Sequence, residues 1–161
     1  MVQIVGERAK PGDAIVDYEE KVLPDYQAEE GQTAYIFFHT VPFEGSVGLV
    51  NLLTCTRINR KGFNTSIILY GPGSLIAAGT RGYPRVGDEP FPGEQAYNKQ
   101  LKTFMDEGGH VYACRFSAAA LYGMREIDMM PGVTPINPLD VLDATLTARR
   151  QGALVLQTWT I

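Results

Sequence analysis

Apolar and polar positions along the chain divide it into two kinds of segment. Short, nearly continuous apolar runs occur in TAYIFFHT (33–40), NTSIILY (64–70), HVYAC (110–114) and ALVLQTW (153–159). Such runs are typical of strands that are buried on both faces, as in the parallel sheets of α/β proteins. Longer segments between them repeat apolar residues every three or four positions, which predicts helices. The alternation of the two predicts βαβ units.

The predicted helices cover residues 47–61, 94–107, 117–123 and 137–152. The last of them has the most complete end signals. Asn137 can cap it, Pro138 suits its first turn, Asp140 suits its positive end, and Gly152 can terminate it. The chain therefore predicts a three-layer α/β/α fold, with helices on both faces of a mainly parallel sheet of about five strands.

Two regions lack a clean period. Residues 71–93 are too rich in glycine and proline for one regular element, apart from a helical turn in SLIAA (74–78). A loop of this length suggests a cover for a site or a contact surface. Residues 1–33 form an N-terminal arm, with weak signals for a strand at Val2–Val5 and a helix near Asp13–Val22. The α/β domain is predicted to comprise residues 34–161.

Composition narrows the class of protein. A chain of 161 residues suits one domain, and its formal net charge of −4 argues against binding to nucleic acid. The longest apolar stretches fall short of the roughly 20 residues that span a bilayer. The N-terminal segment lacks the apolar core of a secretory signal, so we expect a cytoplasmic protein. Its two cysteines, far apart in sequence, are expected to be reduced thiols.

The predicted topology limits where a site can lie. Ligands of open parallel sheets bind beyond the carboxyl ends of the strands. The residues that follow the predicted strands are His39 and Thr40, then Gly71 to Ser74, then Cys114 to Ser117.

Cys114 is the main candidate for chemistry. It ends a predicted strand and precedes a predicted helix N-terminus at Ser117, where free amides favour an anion. Arg115 adds positive charge nearby, so the position suits a nucleophilic or sulfur-carrying thiolate. Free cysteines also commonly fill buried space, and both interpretations remain open. His39 could either activate this thiol or bond to a nearby carbonyl.

The remaining candidates favour binding over metal chemistry. A metal site built from His39, Glu44 and Cys114 is disfavoured because zinc-type ligand spacing is absent, and no metal or cofactor is predicted. Cys114 is the catalytic candidate, and the residues assigned to small-molecule binding are His39, Glu44, Gly71, Arg115 and Ser117. Gly71 opens GPGS, which lacks the Lys-Ser/Thr ending of a phosphate-binding loop and is better explained as a tight turn. Cys55 lies in the middle of a predicted helix and is expected to pack in the core.

The C-terminal half resembles a known family. The segments GGHVYA, CRFSAAALYGM and IDMMPGVTPINPLDVLDATLTARRQGALVLQTW look like the corresponding half of the DsrE/DsrF-like family. The resemblance extends back through TAYIFFHT and so covers residues 33–161. His39 and the long GPGS…FPGE loop are most similar to the subfamily named for a nitrogen-starvation response and often encoded beside a nitrilase.

This resemblance implies a flavodoxin-like fold and a homo-oligomer, commonly a trimer or hexamer. In the sulfur-relay members, the cysteine that matches Cys114 carries a persulfide to a sulfur-carrier partner. Here Arg115 and Phe116 follow the cysteine in place of small residues. Two hypotheses result. One is a binding or regulatory protein for a small metabolite of nitrogen metabolism, and the other is a sulfur-relay or redox protein that acts through Cys114.

Overall fold

Every strand of the main sheet runs parallel to its neighbours. The computed structural model describes residues 21–40, 42, 47–80, 85–90 and 96–158. In chain order these contain β1 (Thr33–Phe38), α1 (Val47–Arg60), β2 (Asn64–Leu69), β3 (Arg85–Val86), β4 (Glu89–Pro90), α2 (Ala96–Asp106), β5 (His110–Cys114), α3 (Arg115–Tyr122), β6 (Thr134–Ile136), α4 (Pro138–Gln151) and β7 (Leu154–Thr158). The sheet order is β6-β5-β2-β1-β7. This confirms the predicted α/β architecture.

The sheet register aligns the carboxyl ends of the three central strands. Phe38 of β1 lies beside Leu69 of β2, and Leu69 lies beside Ala113 of β5. The chain therefore leaves all three strands at one edge of the sheet. That edge is where the sequence predicted the site.

One face of the sheet carries the main hydrophobic core. Because side chains alternate along a strand, every second residue faces this side. Helices α1 and α2 cover these residues and add Leu52, Cys55, Leu101 and Phe104 to the same cluster. Cys55 is only 1% exposed. Its predicted packing role is confirmed.

Helix α4 covers the opposite face. The side chain of Asn137 accepts a hydrogen bond from the Leu139 amide, and the Asn137 amide donates to the Asp140 carboxylate. Gly152 ends the helix in the left-handed conformation, with a φ of 61°. These are the end signals that the sequence predicted. Phe37, Ile68, Cys114 and Ala148 are buried but lie outside the main cluster, as expected for residues of this second face.

The boundaries differ from the sequence prediction in two places. Residues 71–77 form a 3-10 helix, longer than the single turn predicted, and β3 and β4 form a short antiparallel hairpin within the predicted loop. Helix α3 begins at Arg115 instead of Ser117, because Cys114 itself is the extended N-cap residue. The predicted elements at Val2–Val5 and near Asp13–Val22 lie largely or wholly outside the described residues.

The described part of the N-terminal segment contacts its own domain. The Ala28 amide donates to the Lys61 carbonyl at 2.8 Å, and the Asn64 amide donates to the Gln32 carbonyl at 2.9 Å. The rings of Tyr26 and Phe63 stack with centroids 6.0 Å apart. This segment therefore packs beside the C-terminal end of α1 and the start of β2.

Candidate functional site

His39, Tyr70 and Cys114 occupy equivalent positions at the ends of three neighbouring strands. They directly follow Phe38, Leu69 and Ala113, respectively, which are aligned across the three strands. Tyr70 keeps an extended backbone, with φ −145° and ψ 166°, so strand alternation continues through it. The centroids of the His39 and Tyr70 rings are 5.1 Å apart. We call this set of three residues the rim.

The rim geometry separates the histidine from the cysteine. Adjacent strands lie about 4.8 Å apart, so the backbones of His39 and Cys114 are about 10 Å apart, with Tyr70 between them. Burial raises the pKa of the Tyr70 phenol. Tyr70 was not among the sequence candidates, although it immediately follows Leu69 in the predicted strand. Direct pairing of His39 with Cys114 stays a prediction.

Gly71 and Gly73 bring the 3-10 helix against the end of β1. A Cβ atom on Gly71 would lie 2.6 Å from Nε2 of His39, and Gly71 has a φ of +52°. A Cβ atom on Gly73 would lie 2.2 Å from the Phe38 carbonyl oxygen. Gly71 therefore serves as a tight turn against His39. The nearby Thr40 hydroxyl is buried and has no hydrogen-bond partner in the described part of the chain.

The Arg115 guanidinium, predicted to support a Cys114 thiolate, has other partners. Cys114 is 4% exposed. The Arg115 guanidinium donates to the Pro135 carbonyl at 3.1 Å and lies 3.2 Å from the Glu126 carboxylate. The Ser117 hydroxyl donates to the Cys114 carbonyl at 3.1 Å. The roles predicted for Arg115 and Ser117 are therefore supported only by their positions in the first turn of α3, directly after Cys114.

A groove lies on the same sheet face as the rim, between the sheet and α4. Its volume is about 400 Å³, within the range of small-molecule pockets. Its lining comprises Tyr35, Ser66, Ile68, Tyr112, Ile136, Asp140, Asp143, Ala144 and Thr147. Tyr112 precedes Cys114 by two residues, and Ile136 pairs with Cys114 across the sheet. The groove therefore ends near Cys114, but none of the three rim residues is among its lining residues.

Side-chain alternation explains which residues line this groove. Tyr35, Ser66 and Tyr112 are half-buried and interrupt otherwise apolar strands. Residues at the adjacent positions, such as Ile36, Ile67 and Val111, face the main core. A single Tyr or Ser among the apolar residues of each core strand was the available sequence signal.

The other sequence candidates are placed as follows. Glu44 lies outside the described residues. Asp140 and Asp143 of α4 are exposed and also line the groove. The described residues contain no group of three histidine, cysteine or acidic side chains arranged to hold a metal ion. None of the helices in the described ranges is long and apolar enough to cross a membrane.

Comparison with known proteins identifies structural relatives only. No family model matches the chain, and no curated protein matches it in sequence. The ychN protein of E. coli matches with a TM-score of 0.61 at 15% identity, over 79% of this chain and 99% of its own. This chain and ychN therefore share the fold. MTH1491 from Methanobacterium thermoautotrophicum, a protein of unknown function, has a TM-score of 0.57 at 12% identity, with 83% and 100% of the two chains covered.

A third structure gives the same result. BT1422 from Bacteroides thetaiotaomicron, a conserved protein of unknown function, has a TM-score of 0.52 at 16% identity. The match covers 78% of this chain and 94% of that one. The flavodoxin-like α/β fold is thus common to this chain and to small proteins of similar extent.

Proposed function

We propose that this chain is a cytoplasmic, oligomeric DsrE/DsrF-like protein of the nitrogen-starvation-response type. Its role would be to bind a small metabolite of nitrogen metabolism in the groove between α4 and the sheet. The observation that carries this proposal is the groove itself, a cleft of about 400 Å³ that combines apolar walls with a few polar groups. The segments quoted above and the shared fold of ychN support the family assignment.

Filling the groove tests the binding role. We expect Ala144→Phe to weaken binding of small amines, amides and nitriles by about tenfold or more, or about 1.4 kcal/mol, because the phenyl ring would fill space that a ligand needs. Ala144 lines the groove, whereas Ala120 is exposed on α3, so Ala120→Phe is the matched control. Ligand-observed NMR with a panel of these compounds gives the affinities. Equal binding by the two variants, or no binding to the wild type, would contradict the proposal.

The proposed oligomer needs an interface, and the far side of α4 offers one. Leu139, Leu142 and Leu146 are exposed and follow the three- and four-residue spacing of one helical stripe. This stripe is separate from the one that lines the groove. Strand β7, which follows α4 in the chain, pairs only with β1 in the described structure and exposes Leu154, Val155 and Leu156. An open apolar edge of this kind is a template for pairing with another chain.

We expect a charge in this stripe to dissociate the oligomer. Leu142 and Leu121 are each 56% exposed, but Leu121 lies on α3. Leu142→Glu should shift the sedimentation coefficient towards that of a single 17.7 kDa chain, and Leu121→Glu should not. Dissociation by Leu121→Glu alone would place the interface at α3, and a monomeric wild type would contradict the oligomer.

Sulfur relay through Cys114 is the second candidate. The position of the cysteine at the rim, beside Tyr70 and above the groove, favours it. The 4% exposure of Cys114 and the engagement of the Arg115 guanidinium with Pro135 and Glu126 favour a purely structural role for this cysteine. The alkylation rate of the Cys114 thiol distinguishes the two functions.

A further inference from the structure

The groove combines negative charge with aromatic side chains. If the proposed binding function holds, we infer that its ligand is an organic cation, a protonated amine with an apolar body. Asp140 and Asp143 line one wall, and Tyr35 and Tyr112 belong to the other. No lysine or arginine is among the lining residues. A cation is therefore the charge complement of this site.

The two carboxylates are not equivalent. The Asp140 carboxylate accepts a hydrogen bond from the Asn137 backbone amide at 2.7 Å. It also lies in the first turn of α4, where the helix dipole offsets its negative charge. Asp143 has neither a hydrogen bond nor an ion pair within the described structure. Arg150 shares an adjoining hollow with Asp143 but forms no ion pair with it. Asp143 is thus the carboxylate that is available to a ligand.

The opposite wall suits the rest of such a ligand. Tyrosine rings attract cations through their faces, by about 0.5–1 kcal/mol at exposed sites and more where water is excluded. Ile68, which pairs with Tyr112, and Ile136, which pairs with Cys114, supply apolar surface in the same groove. The Tyr35 hydroxyl lies 3.4 Å from the Gln151 side chain, which helps to hold that ring beside α4. An ammonium group near Asp143 would leave its apolar body against these side chains.

Three probes of similar shape test this inference. Phenethylamine is cationic near neutral pH, 2-phenylethanol is neutral and 3-phenylpropionate is anionic. Titration calorimetry with the full chain should show the amine binding at least about tenfold more tightly than the acid, with the alcohol between them. Raising the salt concentration should weaken binding of the amine more than that of the alcohol.

Two variants test whether Asp143 causes the preference for the amine over the acid. Asp143→Asn should remove most of the difference between amine and acid. Asp106→Asn, on α2 and paired with Lys102, is the control and should leave the difference unchanged. Both residues are exposed, and unchanged melting temperatures would show that the variants fold.

The outcomes separate this inference from the binding function on which it rests. Equal binding of all three probes, blocked by Ala144→Phe, would overturn the cation preference and leave the binding function standing. The same holds if the probes fail but other panel compounds bind. Tighter binding of the acid, or an amine preference that survives Asp143→Asn, would also overturn it. Failure of every compound would end both.

Discussion

Replacing Gly73 by alanine is expected to lower the free energy of unfolding by about 3 kcal/mol, because the new methyl group overlaps fixed backbone. Its Cβ would lie 2.2 Å from the Phe38 carbonyl oxygen and 2.7 Å from the Phe38 carbonyl carbon. Neither atom can move without shifting the end of β1. Gly73 is also not in the left-handed region, so the effect measures crowding alone. Chemical denaturation, or a fall in melting temperature of roughly 10 °C, would show it.

Gly79→Ala is the matched control for this prediction. Gly79 also lies outside the left-handed region and near a backbone carbonyl, but its Cβ would be 3.3 Å from the Asp128 oxygen. A small local shift can relieve that contact, so we expect about 1 kcal/mol or less. If the two variants were equally stable, Gly73 would not be pressed against β1. The placement of Gly71 against His39 would then lose its structural basis.

The sequence predicted the strands well because their burial is simple. β1, β2 and β5 are buried on both faces, so their apolar runs identify them without knowledge of their neighbours. The ends of parallel strands meet at one edge, so His39, Gly71 and Cys114 could also be expected there. What the pattern could not provide was the sheet order. The order depends on where in the sheet the chain returns after each helix. It places Tyr70 between His39 and Cys114.

The groove was harder to predict, because it depends on the rotation of α4. The spacing of Leu139, Leu142 and Leu146 predicts a shared stripe, and such stripes usually face a core. In the described chain this stripe is exposed, and the small residue Ala148 is buried in its place. This rotation turns Asp140 and Asp143 towards the open part of the sheet. Sequence spacing gives the stripes of a helix but not which stripe packs inward.

The Cys55 thiol is expected to react very slowly with iodoacetamide. Burial raises the pKa of Cys55 from 9.0 to about 12. Because only the thiolate reacts, at about pH 8 this shift alone lowers its reactive fraction by about a thousandfold. Its rate should rise about tenfold per pH unit until the pH reaches that pKa. Mass spectrometry of the native protein after timed alkylation gives both rates, and denaturant should make both thiols reactive.

The rate at Cys114 decides between the two proposed functions. A buried cysteine with only a structural role should react more slowly than a free thiol, and its alkylation rate should stay low below about pH 7. Cys55→Ala leaves Cys114 as the sole thiol, so the measured rate belongs to one residue. Fast alkylation of this variant near neutral pH would require an accessible, stabilised thiolate. The Arg115 guanidinium would then have to leave the Pro135 carbonyl and the Glu126 carboxylate before it could stabilise that thiolate. Such a rearrangement at the rim is what sulfur relay requires and what metabolite binding in the groove does not.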